Sequence, residues 1–537
     1  MSKTKVHLSR SNGSQNAIRK DDVMNKGLET MQNVNNAKDQ ELLGRMGKAS
    51  AEALIALYEK PHLEREKRQF PFFLKVDYAH VAMLAEEGII HKSQASQIFN
   101  ALVKLEQMGV NALDLDAKHG SMLFQIERFL FSEVGEDIGG RVHIGRSRLD
   151  QGPTVRRLYK RGMLISLMSG INTLRSALIE RAATQKETLM PGYTCLQHAH
   201  PTVFGQYLLS FASKLADDFQ RLAQTYERLN LNPLGGAGLS GTSWPINRDR
   251  TTELLGFDGL VKNSKLVREA YYAAELANGL AMLMSTLNDL ATDLHIWSSY
   301  EFGFVELSDE FCGTSSIFPQ KKNPVALEAV KFLAGEAISW PSIILTTFRS
   351  EGTGDVVMRE APLLDHAFSS SLMAVELMSP VVTTLNINAS RMKKMASANW
   401  STATVLADNL VRDRELSFRN AHTMVGRFVR LSLERGFTVD DVSGALLDEA
   451  AEDLGMTLPK FSDETVKSAF DADAFMRSRV SSGSINPKEV DVLHHDAIVE
   501  LHSSQSWLNT THSNLQVADE KLRGAVESIS SNLESST

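Results

Sequence analysis

Three long stretches of the sequence have a helical pattern and no interior proline, which limits what the chain can fold into. They run from Thr154 to Thr184, from Val203 to Leu231 and from Asn263 to Phe304, with apolar residues three and four positions apart. At 1.5 Å per residue, such stretches predict helices roughly 45 to 60 Å long. Helices of that length usually pack into an extended bundle, so we expect a mainly α protein. A purely structural helical rod would show the same pattern.

The composition is that of a folded protein and excludes several classes. Hydrophobic residues make up 43% of the 537 residues and charged residues 23%, which excludes wholesale disorder. The net charge of −8 argues against nucleic acids and anionic membranes as partners, because both favour a basic surface. The sequence has two cysteines, no apolar run of ~18 residues that could span a membrane, and no secretory signal near its start. We therefore expect a large cytoplasmic protein, most simply an enzyme.

Shifts in composition divide the chain into four parts. Residues 1–45 are polar and are predicted to form a flexible N-terminal arm. Residues 46–145 are predicted to form an N-terminal helical domain, and residues 146–395 a central long-helix bundle domain. Residues 396–537 are predicted to form a C-terminal helical domain that ends in a Ser-rich tail, which we expect to be disordered.

The most specific segment is a loop of small and hydroxyl residues from Gly313 to Pro324. It contains two serines, then a proline, two lysines and an asparagine before a helical pattern resumes. Backbone N–H groups, hydroxyls and a cationic side chain in one loop can bind a carboxylate or a phosphate. The lysines alone would also fit an ordinary solvated turn.

The loop closely resembles the signature loop GSSxMPxKxN of the fumarase/aspartase superfamily, and its SSxxPQKKNP string resembles the argininosuccinate lyase branch. Four further segments resemble motifs of that branch and keep their order. They are residues 145–151 (GRSRLDQ), 191–197 (PGYTCLQ), 233–250 (PLG to RDR) and 410–422 (LV to FRNAH). The resemblance extends from about residue 46 to residue 430.

This resemblance implies both a fold and a reaction. The fold is a mainly α, three-domain subunit whose long central helices form the core of a homotetramer, with each active site built from three subunits. The reaction is the reversible elimination of an amine or alcohol from a succinyl group to give fumarate. No metal or organic cofactor takes part in the family reaction.

The loop residues receive roles from the resemblance. The β-proton of a succinate is a poor acid, so an enzyme must stabilise a dianionic aci-carboxylate while a base removes that proton. Ser315 corresponds to the base, and strong local electrostatics would be needed to lower the pKa of its hydroxyl. Lys321 and Asn323 would hold the carboxylate that gains charge, with Ser316 assisting. Gln320 is a further substrate-binding candidate.

Residues outside the loop complete the implied site. Ser147, Arg148 and Thr194 would bind the succinyl carboxylates, Arg148 through a charge-assisted contact. Glu328 matches the family's acidic partner of an active-site histidine, although a solvated helix glutamate would look the same.

Two substitutions stand at positions that face the substrate in the family. Leu149 occupies the place of the asparagine in SRND and makes that substrate-binding position apolar. Cys195 occupies the place of the histidine in GYTHLQ, which helps to protonate the leaving group, and a thiol with a pKa of ~8.5 is a weaker proton carrier near neutrality. His198 and His200 could compensate, or they could lie on the surface of a helix.

The departures concentrate in the half of the site that binds arginine. Residues 352–362 align with the family segment that holds the guanidinium group, and Arg359 stands there in place of an aspartate. Because buried polar partners decide which substrate a site accepts, we expect a lyase that acts on another N-substituted aspartate. Two alternatives remain: argininosuccinate itself as substrate, and a catalytically silent structural or regulatory relative.

Overall fold

The computed structural model describes residues 50–348 and 361–531, and most of these residues are helical, which confirms the prediction of a mainly α protein. Helices of six or more residues are numbered here in chain order. They are α1 Lys60–Lys67, α2 Phe70–Glu86, α3 Lys92–Met108, α4 Met122–Val134, α5 Arg148–Ala183, α6 Phe204–Leu229, α7 Arg248–Leu255, α8 Tyr272–Trp297, α9 Val325–Ala337, α10 Trp340–Thr346, α11 Leu363–Thr384, α12 Ala389–Ala396, α13 Ala403–Arg414, α14 Phe418–Glu434, α15 Gly444–Asp453, α16 Asp463–Ser468, α17 Ala472–Arg477 and α18 Pro487–Ser531.

The strands of the described residues are short and pair only in twos. The longest pair is an antiparallel hairpin, and the other three pairs have strands of two residues each. They are β1 Leu189–Thr194 with β2 Gln197–Val203, β3 Leu231–Asn232 with β4 Gly259–Leu260, β5 Val305–Glu306 with β8 Asn386–Ile387, and β6 Gly313–Thr314 with β7 Lys322–Asn323.

The described chain forms two compact units. The first comprises residues 50–73 and 100–140. In it the buried Glu66 accepts the backbone N–H of Met122 at 2.7 Å, at the first residue of α4. A carboxylate at a helix N-terminus satisfies a donor that has no partner within the helix and complements the helix dipole.

The second unit comprises residues 74–99, 141–348 and 361–531 and is built on a bundle of α5, α6, α8, α11 and α18. Leucines along these helices, such as Leu167, Leu215 and Leu283, are fully buried. Each such side chain contributes about 1.5–3 kcal/mol through removal from water. The three-to-four spacing read from the sequence therefore marks the bundle core.

Contacts between helices fix their directions. Arg157, near the start of α5, donates to the carbonyl groups of Arg228 and Leu229 at the end of α6, so these two helices are antiparallel. Lys160 forms an ion pair with Asp365 in the first turn of α11, so α11 runs in the same direction as α5. We call the end of the bundle that holds Ser147 and Asn230 the cap end, and the end that holds residues 189–203 the hairpin end.

The remaining two helices of the bundle run in opposite directions, α8 in the direction of α5 and α18 against it. The ring of Trp297, at the end of α8, lies edge-on to Phe204 at the start of α6, so α8 ends at the hairpin end. Helix α18 begins there as well, since Asp491 forms an ion pair with Lys186 at 2.6 Å. It then extends for 45 residues, about 67 Å, toward the cap end.

Two predictions about element boundaries were wrong. The stretch from Asn263 to Phe304 is helical only over Tyr272–Trp297, because Asn263 caps a short 3₁₀ turn and the N–H of Phe304 bonds back to the carbonyl of Trp297. The first four residues of the Ser-rich tail are helical, since α18 continues to Ser531. The predicted N-terminal arm lies outside the described residues.

Among residues 50–348 and 361–531, one helix, α5, has the length and mean hydropathy of a membrane span. Its apolar side chains, including Leu164 and Leu174, are buried in the bundle core, and it also carries the buried cations Lys160, Arg161 and Arg175. These features are typical of a core helix.

Candidate active site

The first site segment is the N-terminus of α5 at the cap end. Ser147 caps this helix: its hydroxyl accepts the N–H of Leu149 at 3.2 Å, and its own N–H donates to Asp150 at 2.8 Å. This reciprocal arrangement is a capping box, and it leaves the positive end of the helix dipole beside Ser147. The side chain of Arg148 is exposed in the first turn. The segment thus presents a cation and a helix N-terminus, as carboxylate binding requires.

A carboxylate that sequence reasoning missed holds this segment in place. Asp150 is fully buried, and its second oxygen accepts the N–H groups of Gly235 at 2.9 Å and Ala237 at 2.7 Å. The pKa of Asp150 is raised, because burial outweighs the hydrogen bonds from Ala237, Ser147 and Gly235, which lower it. Asp150 therefore ties the Ser147 segment to the glycine-rich loop that follows β3. The S-x-x-D spacing of a capping box was the signal in the sequence.

The glycine-rich loop is shaped by its backbone. Gly235 has a φ of +82°, and a Cβ there would lie 2.7 Å from Cδ1 of Ile246 and 2.9 Å from Cγ of Arg248. Nε of Arg248 donates to the carbonyl of Leu234 at 2.7 Å. The similarity of residues 233–250 to the family is thus explained by a scaffold that aims N–H groups at Asp150.

A second buried network supports the turn before α5. Arg146 forms an ion pair with Asp77 of α2 at 2.6 Å, and Gln151 donates to the same oxygen at 3.0 Å. His80, one turn further along α2, contacts the carbonyl of Ile144 through Nε2 at 2.8 Å. Burial, together with the charge of Arg146, lowers the pKa of His80 to about 3, so its ring is neutral and Nε2 is the donor.

The second site segment is the tip of the β1–β2 hairpin. Thr194 and Cys195 are exposed there, and Cys195 and Leu196 form a two-residue turn with φ values of +53° and +57°. Positive φ at both positions is typical of a type I′ turn, which suits right-twisted strands. The turn presents Thr194 and the thiol of Cys195 to solvent at the hairpin end.

His198 and His200 lie on strand β2 rather than on a helix. The ring of His198 lies edge-on to Tyr193 with centroids 5.3 Å apart, and burial lowers its pKa. Nε2 of His200 contacts Oγ1 of Thr404 at 2.8 Å, and burial also lowers its pKa. Both rings therefore have contacts within this chain, and both favour the neutral form.

The third site segment is the signature loop, which joins β6 to β7. Gly313 pairs with Asn323 and Thr314 with Lys322, so residues 315–321 form the connection. Oγ of Ser315 accepts the N–H groups of Ile317 at 3.3 Å and Phe318 at 3.0 Å. Donors aimed at a hydroxyl oxygen stabilise its alkoxide form more than its neutral form.

The two lysines of the loop have different surroundings. Lys322 forms ion pairs with Glu306 at 3.0 Å and Asp309 at 2.7 Å, and the hydrogen bonds to these carboxylates raise its pKa. Lys321 is exposed and makes no ion pair with residues 50–348 or 361–531. Lys321 is therefore the lysine that is available to an anionic ligand.

The other predicted residues of this region lie on or beside the loop. Ser316 and Gln320 are exposed in the loop, Asn323 is half-buried in β7, and Glu328 is exposed in the first turn of α9. The carboxylate of Glu328 makes no hydrogen bond or ion pair with any residue that the structure describes. Arg359 lies outside the described residues.

Within a single chain, the Ser147 segment lies far from the hairpin tip and from the signature loop. Helix α5 begins just after Ser147 and spans 36 residues, about 54 Å, before the hairpin. The signature loop follows α8, which ends at the hairpin end, where Phe302 packs against Tyr193 with ring centroids 5.8 Å apart. Ser147 and Arg148 therefore lie at the opposite end of the bundle from the signature loop.

Among the described residues, no group of three or more His, Cys, Asp or Glu side chains is arranged to hold a metal ion. The cysteines Cys195 and Cys312 are both free thiols.

Comparisons with known proteins identify the family. Residues 55–339 match the family described as Lyase, and residues 400–477 match the C-terminal family of argininosuccinate lyase. An argininosuccinate lyase from Methanocorpusculum labreanum is 35% identical over 496 residues, which cover 92% of this chain and 99% of that protein. The chain belongs to the argininosuccinate lyase branch of the fumarase/aspartase superfamily.

Solved structures agree with this family. An EDDS lyase in complex with formate has 32% sequence identity and a TM-score of 0.80, covering 90% of this chain and 97% of that chain. A class II fumarase from Schistosoma mansoni shares the fold, with 15% identity, a TM-score of 0.62 and coverage of 81% and 94%. As a member of the argininosuccinate lyase branch, the chain is a carbon–nitrogen lyase that produces fumarate.

Proposed function

We propose that the chain eliminates an amine from an N-substituted aspartate other than argininosuccinate, with Ser315 as the base. The observation that carries the proposal is the signature loop, in which two N–H groups point at Oγ of Ser315 and Lys321 has no carboxylate partner among the described residues. Residues for the fumarate half of the substrate are mostly retained, whereas Arg359 replaces an aspartate of the arginine half. Leu149 makes one substrate-binding position apolar.

The reaction proceeds in two steps. The Ser315 alkoxide removes the β-proton, and the electron pair of the broken C–H bond moves into the adjacent carboxylate, which becomes a dianionic aci-carboxylate. Lys321 and Asn323 stabilise that added charge. The pair then returns to form the C=C bond of fumarate as the C–N bond breaks and the amine takes a proton. Cys195 and Glu328 are the candidates for supporting that last proton transfer.

We further propose that the active site is shared between copies in a homotetramer. Ser147 and Arg148 lie about 50 Å along α5 from the hairpin, so one copy cannot bring them to its own Ser315. An apolar face suits the assembly: Phe332 and Ile338 are 75% and 79% exposed. Val325, which is 42% exposed and stands seven residues before Phe332, lies on the same face of α9. Apolar side chains grouped on one face mark contact surfaces, whereas scattered single ones do not. The proposed compartment is the cytoplasm.

Substitution of the base tests the mechanism. Ser315→Ala should lower fumarate release by at least ~10³-fold while the oligomeric state stays that of the wild type, because the alanine loses the proton acceptor but no buried contact. Ser176→Ala, which removes a half-buried hydroxyl of α5 that donates to Glu180, is the matched control and should keep full activity. Near-normal turnover by Ser315→Ala would exclude Ser315 as the base.

The substrate is tested by following the ultraviolet absorbance of fumarate with the purified chain. Argininosuccinate should give little fumarate, whereas fumarate mixed with a suitable other amine should be consumed. Rapid release of fumarate from argininosuccinate favours the runner-up, an argininosuccinate lyase with an altered pocket. That result would leave the role of Ser315 intact.

A further inference from the structure

A second cleft, of about 300 Å³, opens in the bundle between α18 and the C-terminal ends of α6 and α7. Its volume is at the lower end of the range for small-molecule sites. It lies near Asn230, whereas Ser315 belongs to the hairpin end. None of the proposed catalytic or substrate-binding residues lines it.

The charge of the cleft favours a cation. Glu227 and Asp258 line it, and no lysine or arginine does. The carbonyl groups at the two helix ends are already paired with Arg157 and Arg161, so the negative charge of the cleft comes from the two carboxylates. Arg161 lies behind the wall, where it donates to Oδ1 of Asn230 and the carbonyl of Gly256, both at 2.7 Å, and offsets part of the charge of Asp258.

The remaining lining supplies recognition for an organic cation. Trp507 lies edge-on to Tyr226 with ring centroids 5.1 Å apart, and tryptophan is the best side chain for binding a cation over its ring. Tyr226 and Thr511 are only 5% and 8% exposed, yet their hydroxyls have no hydrogen-bond partner among the described residues. Both residues line the cleft, so a ligand with N–H donors would satisfy these hydroxyls.

We propose that this cleft binds a small organic cation, an alkylammonium or guanidinium compound. Asp258 and Glu227 balance its charge, Trp507 contacts its carbon chain or cationic face, and the hydroxyls of Tyr226 and Thr511 accept its N–H groups. Because the cleft joins α18 to α6 and α7, the bound cation also stabilises the docking of α18.

Agmatine, which carries one ammonium and one guanidinium group, is the probe, and glutarate is the anionic comparison. Calorimetry and thermal unfolding of the full chain should show saturable agmatine binding with a raised Tm, and no such effect of glutarate. Asp258→Asn and Trp507→Ala should each bind agmatine at least ~10-fold more weakly, the order expected for one charge or one cation–π contact. Glu520→Gln, which removes an exposed carboxylate of α18 outside the cleft, should bind like the wild type.

Equal binding by the wild type and Asp258→Asn, or no saturable binding at all, would overturn the proposal. Competition by fumarate would also overturn it, because it would assign agmatine to the active site. Measuring the fumarate turnover of the same proteins separates this test from the test of the proposed reaction. Asp258→Asn should bind agmatine more weakly but retain wild-type turnover. A chain that binds agmatine in this cleft but lacks lyase activity would contradict only the proposed function.

Discussion

At the residue scale, the candidate site depends on which charged groups surround the two adjacent lysines of the signature loop. Both have the same side chain, but Glu306 and Asp309 neutralise Lys322 and leave Lys321 to a ligand. The sequence pointed to Lys321 only through its similarity to the family motif. The pairing could not be predicted, because residues 306 and 309 meet Lys322 only when β6 and β7 come together.

The two lysines should therefore respond differently to the same change. Lys321→Met should lower kcat/KM by roughly 10²-fold or more, the usual effect of removing one donor from a developing negative charge. Lys322→Met loses only exposed ion pairs, each worth less than ~1 kcal/mol, and should change kcat/KM by no more than a few-fold. Steady-state kinetics of the two variants decide this, and equal losses would contradict the assignment of Lys321.

At the element scale, periodicity predicted α6 to within two residues, because this helix buries a continuous apolar face. It predicted the end of α5 to within one residue but placed its start at Thr154, whereas the helix begins at Arg148 and includes Pro153. Other elements depended on tertiary contacts that the sequence does not display. Pro191 and Gly192 disfavour a strand, yet β1 forms because β2 pairs with it. The role of Asp150 likewise arises only when the loop at Gly235 and Ala237 folds against α5.

The turn before α5 should make the protein sensitive to acid through His80. The pKa of His80 is about 3 in the folded protein and ~6.5 in the unfolded chain. The neutral ring therefore contributes fully to the free energy of unfolding above pH 6.5, and this contribution is lost as the pH falls toward 3. At pH 5 this loss is about 2 kcal/mol of the free energy of unfolding. His80→Gln keeps an N–H donor for Ile144 but does not titrate.

Urea unfolding at pH 7.5 and pH 5.0 measures this effect. The wild type should lose about 2 kcal/mol more than His80→Gln between the two pH values. The same loss in both proteins would show that His80 does not titrate as the structure implies.

At the scale of the whole molecule, the length of α5 is the main constraint on function. It separates Arg148 from the signature loop, while Phe332 and Ile338 expose apolar surface that a second copy can cover. The long windows in the sequence predicted the bundle, but not α18, whose polar 45 residues lack a strong apolar stripe. The proposed division of the site between copies rests on this geometry.

Mixing two inactive variants tests this account most directly. Arg148→Met and Ser315→Ala should each be inactive as pure proteins but assembled like the wild type. After joint dissociation and reassembly in equal amounts, about a quarter of the sites should receive an intact Arg148 from one copy and an intact Ser315 from another, and fumarate formation should return to about that fraction of the wild-type rate. Mixed assemblies that stay inactive would contradict the account, because they would mean that both residues of a site come from the same chain or that one of them takes no part.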